Sequence, residues 1–421
     1  MNSELRIKIE ELIELSENNL IDSFRTIDKR TFKIQKRVLD AFRNNRVSDS
    51  HFSWNTGYGY DDAGRDVTER VFAQVFGAEK ALVRTNIVNG THAISLAILG
   101  TLKAGDKLVY CTGEPYDTLK SIIGDGEVPA PGTLKELGID YTSIDLIDGN
   151  FDYNSIKEIV DSEHPKMLAI QRSTGYGWRK TITVNQIEEF VTFIRSIGSD
   201  AVVMVDNCYC EFISDNEPSH VGADLVCGSL IKNPGGGLAL SGGYIVGSCD
   251  LIDRISYRLT CPGIGGECGL TFGQTRSILQ GLFIAPHVSA GALKAAMLFG
   301  SFYDRLGFEI CPNMSDERAD IIQAIKLCSP EAVSAFCSGI QTAAPIDSFV
   351  APVASDMPGY ADKVIMAAGT FVQGASIELS ADGPMREPFN VYFQGCLTYE
   401  HGKIGLAESA EGLVKSGFLR I

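Results

Sequence analysis

The run Ala201-Val-Val-Met-Val-Asp206-Asn-Cys-Tyr constrains this chain more than any other stretch. Five apolar residues in a row leave no polar face, so they predict a strand buried on both sides, as in parallel sheets covered by helices. The acid that ends the run then stands at the strand's C-terminal tip, where open α/β sheets bind their ligands. Strand-end Asp residues also cap helices and hold metals, so the position alone leaves its role open.

The surrounding pattern agrees with an α/β fold built on a mostly parallel sheet. Short apolar runs at 80–84, 107–111, 166–171, 224–227 and 243–246 alternate with helical stripes at 67–76, 92–99 and 184–197. In the last stripe Ile187, Phe190, Val191 and Ile194 share one face. We expect an N-terminal helical segment over 1–50, with stripes at Leu5, Ile9, Leu12 and Ile13 and at Phe32, Val38, Leu39 and Phe42. Its basic residues Lys29, Arg30, Lys33, Lys36 and Arg37 read as a solvated face. A large ligand-binding domain follows over 51–287. A long helix over 288–302 then leads into a smaller C-terminal α+β domain, 288–421.

Composition narrows the partners. With 53 acidic against 37 basic residues the net charge is −16, which repels phosphate backbones and anionic lipid. No nucleic-acid or membrane partner is expected. The first residues lack the apolar core of a signal peptide, and no run of about 18 apolar residues is present. The 11 cysteines form no C-x-x-C pair, which fits a reducing cytoplasmic location. Six histidines without an H-x-x-x-H or a Cys/His cluster predict no metal site.

Three further stretches carry chemistry at predicted strand ends. In Gly228-Ser229-Leu-Ile-Lys232-Asn-Pro-Gly235-Gly-Gly a lysine precedes three glycines, which permit close backbone approach to a ligand. Otherwise it is a Gly turn with a solvated lysine. Val88-Asn89-Gly90-Thr91-His92 opens a helix, and free N–H groups there make an anion site. His92, alone on a helix, reads as packing. No Walker loop occurs, and no G-x-G-x-x-G stands in a βα context. Tyr116, after the strand ending at Cys111, can lie flat on a planar ligand. An anion turn, an aromatic, a strand-end carboxylate and a lysine in a glycine loop are what pyridoxal 5'-phosphate requires.

Together these parts resemble the aspartate-aminotransferase fold type I of pyridoxal-phosphate enzymes, within its Cys/Met-metabolism branch. The nearest likeness is to the aluminium-resistance, methionine gamma-lyase-like family. It is carried by TGYGYDDAGRD (56–66), VNGTHAIS (88–95), VDNCYCEF (205–212), SLIKNPGGG (229–237) and ELSADGPMREP (378–388), and it covers nearly the whole chain. The resemblance implies a carbon–sulfur lyase acting on a sulfur-containing amino acid, of cystathionine beta-lyase or methionine gamma-lyase type. An aminotransferase, or a non-enzymatic metal-tolerance or cofactor-carrying protein, is the alternative. Asp61-Asp62 and Asp316-Glu317 are the acidic pairs such a metal binder would use.

The resemblance also implies roles. Lys232 is the Schiff-base residue and moves the Cα proton, Asp206 pairs with the pyridinium nitrogen, and Tyr116 stacks on the ring and serves as acid. Asn89, Gly90, Thr91 and Ser229 hold the phosphate, Tyr58 and Tyr60 reach the neighbouring subunit's phosphate, and Arg386 binds the substrate carboxylate. A homodimer is then the minimum active unit and a homotetramer the expected assembly. The chain departs from the wider branch in three places. Ile231 replaces a Thr before the lysine, Gly90-Thr91 replaces Gly-Met, and Tyr58-Gly-Tyr60 replaces Tyr-x-Arg, with Arg65 five residues on. The segment 259–270 is either a wall of the substrate pocket or a connector.

Overall fold

The computed structural model describes residues 3–124 and 131–421. The chain opens with α1 (Ser3–Asn18) and α2 (Ile21–Asn44). The first half of the α/β region comprises α3 (Ala63–Phe76), β1 (Lys80–Arg84), α4 (Gly90–Thr101), β2 (Lys107–Tyr110), α5 (Asp117–Ile123) and β3 (Asp140–Ser143). The second comprises α6 (Tyr153–Glu163), β4 (Met167–Gln171), α7 (Val184–Ser196), β5 (Val202–Asp206), β6 (Leu225–Ser229), β7 (Gly243–Gly247) and α8 (Cys249–Leu259). These strands form one sheet in the order β1-β7-β6-β5-β4-β2-β3, parallel except for β7, which runs against both neighbours.

Successive strand residues point to opposite faces, and here both faces are dry. Val203 and Val205 join α3, α6 and α7 in one core, while Val202 and Met204 join α4, α5 and α8 in the other. That double burial is why the strands appear in the sequence as uninterrupted apolar runs. Parallel pairing aligns the tips: Asp206 sits opposite Gln171 on one side and Cys227 on the other.

The chain leaves this sheet along α9 (Thr275–Arg305), a single helix of 31 residues with Pro286 inside it. The expected start at residue 288 is therefore too late, and the expected domain boundary falls within a continuous helix. Proline removes one N–H bond, but Leu282, Ala285, Val288 and Leu293 are all buried, and that packing holds the helix together. The helix is long and apolar enough to cross a membrane by composition, yet 72% of its most apolar window lies inside the protein.

Past α9 come β8 (Ile310–Cys311), β9 (Ile322–Lys326), α10 (Pro330–Ala343), β10 (Val364–Ala367), β11 (Ser380–Pro384), β12 (Asn390–Gln394) and α11 (Tyr399–Lys415). The second sheet, ordered β10-β11-β12-β9-β8, is antiparallel throughout. The N-terminal helical segment packs against both sheets. Ile9 and Ile13 of α1 join the core of the second sheet, and Ile34, Val38 and Ala41 of α2 join that of the first. Phe32, placed on the apolar stripe by sequence, is 74% exposed. The basic run is partly engaged, since Arg37 donates to the Asp215 carbonyl at 2.5 Å and Lys33 pairs with Asp215 at 2.9 Å.

Candidate active site

A cavity of about 240 Å³ opens at the C-terminal tips of β4, β5 and β6, and residues of the second sheet complete its wall. β5 delivers Asp206, whose Oδ1 accepts the Cys208 N–H at 3.1 Å. Burial raises the carboxyl pKa, and the charge of Lys232 lowers it again. The turn after β6 brings Ser229 and Lys232 into the same cavity. The Lys232 Nζ stands 3.9 Å from the Tyr209 ring centroid. Burial works against its charge, but Cys208, Tyr209, Asp206 and Glu211 outweigh it and raise the pKa. Across from Lys232, Asp206 makes no ion pair within 4 Å among the described residues, so each charge is left for a ligand to answer.

The first turn of α4 forms a third wall. Asn89 caps the helix, its Oδ1 accepting the His92 N–H at 2.8 Å. A β-carbon at Gly90 would lie 3.1 Å from Cys208 Sγ, so the backbone approaches the cavity bare. The helix N-terminus, Thr91 and Ser229 therefore offer N–H and O–H donors to an anion. His92 Nδ1 accepts the Val88 N–H at 3.0 Å, which gives it a turn-closing role. Tyr116 completes the set: Gln171 Oε1 accepts its N–H at 2.8 Å, and its hydroxyl bonds that of Tyr360. Burial pushes the Tyr116 pKa well above the ordinary phenol value, so the hydroxyl carries its proton.

Pyridoxal phosphate fits these residues. A bare helix N-terminus suits the phosphate, the buried Asp206 suits a protonated ring nitrogen, and Lys232 stands in the same space. Asn89, Gly90, Thr91, Tyr116, Asp206, Ser229 and Lys232 are thus brought together as the sequence predicts.

Three expected residues lie elsewhere. Tyr58 and Tyr60 stack on each other with centroids 5.4 Å apart, are 73% and 59% exposed, and stay outside this chain's cavity. Arg386 does not line the cavity either. It lies two residues past the end of β11 and pairs with Asp362 at 3.0 Å on the surface. The 259–270 segment is no wall of this cavity. Arg84 holds the carbonyls of Gly266 and Cys268 at 2.8 Å, and Gly269 donates to the Tyr58 carbonyl at 3.1 Å. Arg65 holds the Gly59 carbonyl at 2.7 Å. The acidic pairs are occupied locally: Asp62 caps α3 and Asp316 pairs with Lys180.

Four aromatic or acidic residues escaped the sequence reading. Tyr209, at φ +72°, and Asp382 both stood inside motifs quoted for other reasons, whereas Tyr176 and Tyr360 sit in loops with no periodic signal.

Comparison with known proteins identifies relatives of this chain. The sequence profile of the methionine gamma-lyase family matches residues 9–414. A crystal structure from Clostridium acetobutylicum, of a candidate cystathionine beta-lyase involved in aluminium resistance, is 48% identical. It aligns with a TM-score of 0.94 over 97% of this chain and 96% of that one. A carbon–sulfur lyase involved in aluminium resistance from Clostridium novyi NT is 47% identical, with a TM-score of 0.92 over 96% and 95% of the two chains. The pyridoxal-5'-phosphate-dependent protein YhfS of Escherichia coli, at 17% identity and TM-score 0.63 over 92% and 97%, shares the fold. A profile match across nearly the whole length places this chain in the methionine gamma-lyase family.

Proposed function

We propose that the protein is a pyridoxal-phosphate-dependent carbon–sulfur lyase acting on a sulfur-containing amino acid. The observation that carries this reading is the cavity in which Asp206 and Lys232 face a ligand space beside the bare N-terminus of α4. Bound pyridoxal phosphate supplies the electron sink that makes the substrate's Cα proton removable. The chain's own groups do the rest. The helix N-terminus, Thr91 and Ser229 fix the phosphate. Asp206 keeps a positive charge on the ring nitrogen, as a buried carboxylate with an opposite charge in contact does. With the cofactor bound, Lys232 would take the Cα proton at Nζ. The protonated Tyr116 hydroxyl gives its proton to the departing sulfur.

The second sheet and the Tyr176 and Tyr360 rings limit water at the reacting atoms. Tyr58 and Tyr60 complete the site of a second copy, so the active unit is a homodimer. Their exposure, beside the exposed Trp54 and Phe272, supports that arrangement.

An absorption scan of the purified protein tests the cofactor. Wild type supplemented with pyridoxal phosphate should keep a visible band through desalting, and Lys232→Ala should lose it. A colourless wild type sinks the proposal.

A further inference from the structure

Apart from Lys232, the described lining of the cavity holds no cationic side chain, but it holds a second carboxyl group, Asp382. β11 puts it there by alternation. Ala381 faces the apolar core, and a β-carbon at Gly383 would meet Val333 Cγ1 at 2.2 Å, so Ser380 and Asp382 face the cavity. Asp382 is 9% exposed, and its Oδ2 accepts the Gln394 N–H at 3.0 Å from β12. Burial raises its pKa to about 6, against which Tyr176, Gln394 and the charge of Lys232 favour the ionised form.

The charges of the loaded site leave Asp382 over. Lys232 is committed to the cofactor, Asp206 is answered by the ring nitrogen, and the phosphate by α4. A buried carboxylate without a counter-charge is costly, and a ligand that supplies one relieves that cost. The substrate's α-amino group is engaged at the cofactor and its carboxylate would be repelled. The place for a compensating charge is thus the branch beyond sulfur. We propose that Asp382 recognises an ammonium group on the leaving-thiol branch, so that the preferred substrates are S-substituted cysteines whose branch ends in a cation. The proposal rests on the lyase reading. The reaction balances as RS–CH2–CH(NH3+)–COO− with water giving RSH, pyruvate and ammonium.

Three probes of similar size separate the possibilities on the holoenzyme: S-(2-aminoethyl)-L-cysteine, S-propyl-L-cysteine and S-carboxymethyl-L-cysteine. Thiol release gives kcat/KM, and displacement of the visible band on titration gives binding without turnover. The aminoethyl compound should exceed the propyl compound by about tenfold or more, with the carboxymethyl compound lowest. In Asp382→Asn, checked for its visible band, the aminoethyl-to-propyl ratio should fall to within about threefold of one.

The wild-type ratio should also fall on acidification, as Asp382, whose pKa burial raises above the ordinary carboxyl value, takes up a proton. Lys232, Tyr116, Tyr176, Tyr209 and Tyr360 face it from the cavity, and Cys337 of α10 acts on it from the other side of the sheet. Their effects are common to both substrates and divide out of the ratio. A wild-type ratio near one, or a preference that survives both the substitution and acid, overturns the inference while leaving the lyase reading intact. A protein without the visible band overturns both, and that result is seen before any probe is added.

Discussion

A β-carbon at Gly90 would stand 3.1 Å from Cys208 Sγ and 3.4 Å from Ser229 Cβ, on the wall that faces the anion. Neither neighbour is the free end of a long side chain, so Gly90→Ala must push the turn into the space the phosphate needs. Alanine is the better helix former, which offsets the strain in the unloaded protein. The expected outcome is a melting temperature within a few degrees of wild type and an affinity for pyridoxal phosphate weakened about tenfold, within the usual cost of overpacking. Titration of the apoprotein by absorbance checks it, and unchanged affinity would refute the cradle.

At this scale the sequence is readable where a residue is out of character for its position. A carboxylate ends an apolar run, and a lysine precedes three glycines. It is silent where the role depends on which neighbour folds across. Nothing local distinguishes Arg386, which pairs with Asp362 outside the site, from Asp382, four residues earlier and inside it.

α9 does more than link the two sheets. A β-carbon at Gly281 would meet the Gly235 carbonyl oxygen at 2.1 Å, and one at Gly236 would meet the Gly281 carbonyl at 2.5 Å. The helix is thus pressed against the backbone of the loop that carries Lys232. Neither backbone can yield as a side chain can. Gly281→Ala should therefore destabilise the protein by about 1–3 kcal/mol and shift the loop. Thermal melts with and without pyridoxal phosphate report both, because a displaced Lys232 reduces the stabilisation that cofactor gives. Full stabilisation by cofactor in this variant would show that the loop does not depend on α9.

Strands of the first sheet were legible because burial on both faces writes itself as uninterrupted apolar runs. The expected start of α9 at 288 differs from the structure because the packing that carries the helix through Pro286 comes from two separate cores, which no local pattern shows. β3 carries Asp140 and only half-buried residues after it, so it left no apolar run to find.

At the scale of the whole molecule, the loop that carries Tyr58 and Tyr60 displays a stacked, exposed aromatic pair. Arg65 and Gly269 hold its backbone while both rings remain exposed, an arrangement that fixes the rings for contact with something outside the chain. If that is the cavity of a second copy, each active site draws Lys232 from one protomer and the tyrosine pair from the other. Two inactive proteins then complement each other. Lys232→Ala supplies intact tyrosines but no anchor, and a Tyr58→Ala, Tyr60→Ala double variant supplies the anchor but no tyrosines.

Random reassociation of equal amounts makes half the dimers mixed, each with one complete site of two. Activity should return to about a quarter of wild type, as two-fold symmetry requires. Neither variant alone should approach that level, and recovery should depend on conditions that allow subunits to exchange. If the mixture shows no more than the average of its parts while native mass spectrometry confirms mixed dimers, the tyrosines serve their own protomer. The extended surface around Trp54 and Phe272 would then need another explanation.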